Sequence, residues 1–196
     1  MTRKLTLLGL TAIASMGLAT SATAGPGAHV EPVKTFVKEH VADLAKDADV
    51  IAAVKAANAQ TASFDEAKIV EMDKEWRAET SASEQPMIDG VMKHPLSAKL
   101  GEAREKTEGM VTEVIVMDAK GLNVGLSDVT SDYWQGDEAK YQEVFGKDGN
   151  VVFVDEVEHD ESSQTFQSQA SFPIVDPESG EHIGVITVGV DIGSLM

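Results

Sequence analysis

Five short apolar runs follow one another between Val111 and Ile192, and they limit the possible folds more than any other feature of the chain. Val111–Met117 and Leu122–Leu126 are parted only by Asp118-Ala119-Lys120-Gly121, which predicts an antiparallel hairpin. Val151–Val154 predicts a third strand, open to continuing into the acidic run Asp155 to Glu161. Phe166–Val175 and His182–Ile192 are the longest runs and are hinged at Asp176-Pro177-Glu178-Ser179-Gly180. Connections this short join antiparallel neighbours, because a parallel pair needs a long crossover. Between the second and third runs lies the polar-aromatic stretch Ser131-Asp132-Tyr133-Trp134-Gln135-Gly136-Asp137-Glu138, and residues 136–145 read as a short helix.

The N-terminal half has a different period. Val33, Phe36, Val37, Val41, Leu44, Ala48 and Ile51 recur at helical spacing, one apolar stripe over nearly five turns with Pro32 suited to the first turn. The Ala-rich stretch from Ile51 to Ala59 either continues this helix or restarts it after Asp47-Ala48-Asp49. Ser63-Phe64-Asp65-Glu66 reads as a capping box for a helix that places Ile69, Met72 and Trp76 on one face. Gln85-Pro86 and Pro95 bound the next short element, where Met87, Ile88, Val91 and Met92 read as core. Helices first and consecutive strands later predict an α+β domain: a long N-terminal helix and short helices on a five- or six-stranded antiparallel sheet. The helical half covers about residues 30–108 and the sheet half about 110–192.

Arg3 and Lys4, the apolar stretch from Leu5 to Leu18, and Ala22-Thr23-Ala24 form a secretory signal peptide with cleavage expected after Ala24. Residues 25–196 are then one domain, expected in the periplasm with no membrane span. Cleavage removes two of the 16 basic residues and none of the 33 acidic ones, so the formal charge goes from −17 to −19. Such a surface repels nucleic acid and anionic lipid. Without cysteine the exported chain has neither a disulfide framework nor a thiol nucleophile.

Strand alternation sorts side chains by face. Gly184, Ile186, Val188 and Val190 share one face of the last strand; Val185, Thr187, Gly189 and Asp191 share the other. In the preceding strand Phe166, Ala170, Phe172 and Ile174 face one way and Gln167, Gln169 and Ser171 the other. Gln167, Gln169, Thr187 and Asp191 could thus line a ligand-binding face, or the glutamines and Ser171 simply meet solvent. Three of the four Trp and Tyr residues, Tyr133, Trp134 and Tyr141, lie in or beside the polar run, as they would in walling a small-ligand pocket.

The ordered set Val114-Ile115-Val116-Met117-Asp118-Ala119-Lys120-Gly121, Asp132-Tyr133-Trp134-Gln135, Phe172-Pro173-Ile174-Val175-Asp176 and Ile183-Gly184-Val185-Ile186-Thr187-Val188-Gly189-Val190-Asp191-Ile192 resembles the Cache family. These are PAS-like extracytoplasmic sensor modules of bacterial chemoreceptors and histidine kinases, and the resemblance covers about Val30 to Ile192. It implies a PAS-like sheet with a ligand lying against it beneath the aromatic loop. Trp134 then matches the pocket tryptophan, and Asp191 the closing aspartate that meets a ligand amino group. The family's amino-acid pattern has an Arg before the Trp and a Tyr after the third strand. Here Asp132-Tyr133 stands in the first place, and Asp155-Glu156-Val157-Glu158 has no Tyr, so that carboxylate clamp is missing. Lys140 reads as a surface lysine or as the replacement cation, a role also open to Arg77 and Arg104.

The resulting candidate site is Tyr133, Trp134, Gln135, Lys140, Gln169, Thr187 and Asp191. Neither metal nor cofactor is expected. The solute is an amine, amino acid or carboxylate, presented to a membrane sensor kinase, cyclase or transporter. No output domain is expected, with the chain ending five residues after Asp191. An enzyme is not expected: there is no Cys, no G-x-S-x-G and no H-E-x-x-H, and the five His are scattered. Two other readings remain, a non-sensing interaction protein and, on residues 155–161, a cation-binding protein. The acidic run is better explained as a solvated edge that discourages strand pairing.

Overall fold

The computed structural model describes residues 27–147, 149, 151–160 and 165–196. The expected signal peptide, residues 1–24, and Glu161 of the acidic run lie outside them. The fold is α+β with a PAS-like antiparallel sheet. Helices α1 (Val30–His40), α2 (Ala48–Thr61), α3 (Glu66–Glu79), α4 (Pro86–Met92) and α5 (Pro95–Glu105) precede the hairpin β1 (Val111–Met117) and β2 (Asn123–Leu126). The short α6 (Ala139–Gln142) leads to β3 (Phe153–Val154), β4 (Glu158–Asp160), β5 (Thr165–Val175) and β6 (His182–Asp191), and α7 (Ile192–Leu195) closes the chain. The strand order is β2-β1-β6-β5-β3, with β4 also paired to β5. The acidic run therefore folds in part as a separate edge strand.

The stripe expected to form one long helix is divided. Helix α1 ends at Val41, residues 42–46 form a 3-10 turn, and α2 restarts at Ala48. The cause is Asp47, whose extended backbone lets its carboxylate accept from the Asp49 and Val50 N–H groups as an N-cap. Lys99 of α5 holds the same carboxylate at 2.6 Å, which fixes the break against the body of the domain. A second cap also differs from expectation. Asp65, not Ser63, starts α3 by accepting from Lys68 N–H at 2.9 Å, a place where a carboxylate also gains from the helix dipole. Pro86 and Pro95 occupy first-turn positions of α4 and α5, where their missing N–H costs nothing.

The sheet divides the core in two. On its inner face Val114, Val116, Ala170, Phe172, Ile174, Ile186, Val188 and Val190 pack against Val33, Phe36, Val37, Val50, Val54, Leu96 and Leu100. On its outer face Ile115, Met117 and Val185 pack with Leu126 under Trp76, Ile88, Tyr141 and Val144. Phe36 is 7% exposed in the inner cluster, whereas Leu44, on the 3-10 turn, is half-buried. Phe36→Ala should thus cost about 3–5 kcal/mol in chemical denaturation, and Leu44→Ala distinctly less. Equal losses would contradict the division of the stripe.

Candidate functional site

The Asp118–Gly121 turn anchors the loop half of the molecule. Asp118 is fully buried, and its Oδ1 accepts from Lys120 N–H (2.8 Å) and Leu122 N–H (3.0 Å). The Thr61 hydroxyl of α2 lies 2.7 Å from Oδ2. Gly121 takes φ +78°, and a Cβ there would lie 2.5 Å from Gly136 Cα, so the aromatic run can lie on the turn only because both positions are glycine.

That run is then tied down from two sides. Gln135 N–H donates to Gly121 O (2.8 Å), Asn123 N–H to Tyr133 O (3.1 Å), and the Trp134 indole N–H to Lys120 O (2.9 Å). From α3, Asp73 Oδ1 accepts from both Tyr133 N–H (3.0 Å) and Trp134 N–H (3.1 Å). Arg77 bridges Asp73 (2.7 Å) to Asp132 (3.0 Å). Trp76, wholly buried, donates to Thr130 O and packs on the Tyr133 ring at a centroid distance of 5.4 Å. The roles of Asp73, Trp76 and Asn123 were invisible in the sequence. Asp73 and Trp76 are three residues apart on a helix, which put them on one side of α3, but nothing marked the loop as their partner.

The remaining candidates fall at three places. Gln135 is 1% exposed and gives its amide N–H groups to Asp132 O (3.2 Å) and Oδ1 (2.7 Å), while its Oε1 has no partner among the described residues. Lys140 is not a surface lysine: it is buried and paired with Glu138 at 3.0 Å. Burial raises the Glu138 carboxyl above its ordinary range, and the Lys140 charge opposes that rise. Thr187, wholly buried in mid-sheet, lies 2.8 Å from the Ser171 hydroxyl, so Ser171 does not meet solvent. Gln169 donates to Glu113 at 2.8 Å, as Gln167 does at 3.4 Å, and both glutamines are half-buried. Asp191 caps α7, accepting from Gly193 N–H (2.8 Å), Ser194 N–H (3.3 Å) and the Ser194 hydroxyl (2.8 Å).

Register sets the distances between these groups. Met117, beside the turn that carries Trp134, pairs with Val185, whereas Gln167 pairs with Asp191 and Gln169 with Gly189. Val185 and Asp191 stand six residues apart on one strand, about 20 Å. The structure therefore groups Tyr133, Trp134 and Gln135 at one end of the sheet, Gln169 and Asp191 at the other, and Thr187 between. Tyr133 lines a cavity of about 190 Å³ with Thr61, Asp118 and Asn123, whereas Gln169 lines one of only about 30 Å³.

No protein-family model matches the chain, and no curated protein does either. Among solved structures it is similar to the sensor domain of the Vibrio cholerae histidine kinase DctB, at 15% identity over 83% of this chain and 58% of that one (TM-score 0.39). It is also similar to the sensory domain of the Campylobacter jejuni chemoreceptor Tlp3 with isoleucine bound, at 18% identity over 87% and 65% (TM-score 0.40). An extracellular ligand-binding receptor from Desulfohalobium retbaense matches at 15% identity over 74% and 25% (TM-score 0.38). The chain spans less than two thirds of each. The first two are sensor domains of a histidine kinase and a chemoreceptor. Among the described residues no helix is long and apolar enough to cross a membrane.

Two outcomes test the geometry of the loop end. Asp73→Ala strips the acceptor from two loop N–H groups, a loss of about 1–3 kcal/mol for each that stays buried. Hydrogen exchange at the Tyr133 and Trp134 amides should quicken while the β1–β6 ladder stays protected. Unchanged exchange would mean that the loop holds itself. Burial, helped by the Asp118 charge, pushes the Tyr133 phenol up to about 12 from 10. A raised acid favours the folded state while it keeps its proton. The stability it adds is therefore complete below pH 10 and is lost as pH rises from 10 through about 12. Ultraviolet titration should find Tyr133 ionising about two pH units late, and wild type should lose more stability over that window than Tyr133→Phe.

Proposed function

We propose that this chain is a non-enzymatic periplasmic sensor module, residues 25–196, released by cleavage after Ala24. It binds a small polar solute and presents it to a separate membrane partner, a sensor kinase, cyclase or transporter. The observation that carries this reading is the aromatic run, pinned through its backbone to Asp73 and the Asp118 turn. Its main chain, the Trp134 indole N–H and the Gln135 amide N–H groups are held by the scaffold, which leaves the ring faces and Gln135 Oε1 to do the recognition. The ordered motifs that resemble Cache modules support the same reading.

Within this proposal Tyr133, Trp134, Gln135 and Lys140 form the loop end of the solute site, and Thr187, Gln169 and Asp191 its sheet end. A solute the size of an amino acid engages one end at a time. Lys140, already paired with Glu138, matters only for an anionic solute. A non-sensing interaction protein is the alternative, favoured by the way Trp76, Tyr141 and Val144 fill the outer face.

A thermal-shift screen of amino acids, small carboxylates and amines separates the two readings. A bound solute at one hundred times its dissociation constant adds about 2.7 kcal/mol. Calorimetry of any hit should then show at least a tenfold loss for Trp134→Ala. Loss in Asp191→Ala alone would move the site to the sheet end. Failure of every compound to stabilise the protein would favour the interaction protein.

A further inference from the structure

The cavity of about 190 Å³ lies between α2, α4 and the β1–β2 hairpin, and it shares only Tyr133 with the solute site proposed above. Where Asn123, Thr61 and Asp118 meet, its polar wall is short of donors. Asn123 is 2% exposed, and its amide nitrogen donates to Thr130 Oγ1 and to Asp132 O, both at 2.9 Å. A carbonyl only accepts, so the amide cannot be turned round, and Asn123 Oδ1 is left with no donor among the described residues. The Thr61 hydroxyl has one proton and two acceptors in range, Asp118 Oδ2 at 2.7 Å and Ala57 O at 3.0 Å. Asp118 itself is fully buried, and among the described residues no lysine or arginine pairs with it. Its charge reaches far enough to hold back ionisation of the Tyr133 phenol. The other walls are alanines of α2, Gly90 and Val91 of α4 and Val124 of β2, which suit a short hydrocarbon, and Gln60 and His94 also line the cavity.

We propose that this cavity binds the ammonium group of a small primary amine, with Asn123 Oδ1 and the Asp118–Thr61 pair as acceptors and the Ala/Val wall against its carbons. An ammonium brings three donors and a positive charge, which answers the unpartnered Asn123 Oδ1 and the buried Asp118 carboxylate. The volume falls below the roughly 300–1,000 Å³ of drug-sized pockets, which limits the ligand to a few carbons.

Propylammonium is the probe, with propan-1-ol, propionate and potassium chloride as matched controls, followed by 1H–15N spectra of the whole protein. The Asn123 side-chain signal should move saturably with propylammonium alone, while the Trp134 indole signal stays in place. Asp118→Asn, which keeps the turn's acceptor and removes the charge, should weaken binding at least tenfold. Gly90→Leu supplies a variant that keeps the fold, since Gly90 lines the cavity from helix α4 and a Cβ there meets nothing within 4 Å. It should also cost at least tenfold by filling the space. Unchanged affinity in Gly90→Leu overturns the proposal, as does the absence of any saturable shift. An equal response to potassium would make the site an inorganic cation site and overturn the amine. A shift at the Trp134 indole without one at Asn123 would place the amine in the loop site instead.

Discussion

The loop half of the molecule depends on one buried carboxylate. Removing Asp118 from water is costly unless its oxygens are hydrogen-bonded, and two N–H groups of the turn bond one oxygen while the Thr61 hydroxyl, shared with Ala57 O, lies against the other. With Asp118 committed, the next residues are fixed too. Ala119 N–H donates to Asn58 of α2, and Ala119 O accepts from the Tyr141 hydroxyl. The turn thereby presents Lys120 O and Gly121 O outward at fixed positions, and the aromatic run is hung on them. Helix α2, the hairpin, the loop and α6 thus meet at one acid.

The same economy explains why the outer sheet face is not uniform. Near the turn it is apolar, Ile115, Met117 and Val185 meeting the rings that the loop and α3 bring over. Further along, Glu113 holds Gln167 and Gln169, and Thr112 donates to Gln167 Oε1. Gly189 lies beneath them because any side chain there would strike Thr112 and Glu113. The outer apolar cluster does not extend over this half among the described residues, and its polar residues bond to one another. Sheet alternation put these residues on one face, and their neighbours decided that the face would have two characters.

Period and turn chemistry made the sheet readable. Strands 111–117, 166–175 and 182–191 follow from β-branched alternation, and Asp118–Gly121 from its turn residues. The break at Asp47 was legible only as one of two alternatives, because Val41, Leu44 and Ala48 keep helical spacing across it. What ends the helix is a capping carboxylate held by Lys99, 52 residues away. The capping box misled for a related reason: Ser63 and Asp65 are both good caps, and the choice depended on where the chain leaves α2. The candidate site was legible only in part. Tyr133 and Trp134 were visible as scarce aromatics in a polar loop, but Asp73 and Asn123 act through long-range backbone contacts that leave no local pattern. Lys140 looked like any surface lysine because burial of a charge is decided by what packs over it.

Asp191 shows how a sequence pattern can have two physical meanings. A carboxylate at the end of an apolar strand suits a ligand ammonium, and it suits equally the N-cap of a turn that begins at the next residue. Gly193 and Ser194 settle the local geometry, since residues two and three places after an aspartate are the ones whose N–H groups its side chain reaches. Three donors occupy the two oxygens here, yet a carboxylate accepts about four, so one lone pair remains for a solute. Distance then limits what that lone pair can share. Val185, paired with Met117 beside the turn that carries Trp134, stands about 20 Å from Asp191 along the strand, so a small molecule at one end of the sheet does not reach the other. Under the proposed reading a solute is therefore recognised at one end of the sheet only, whichever end that is.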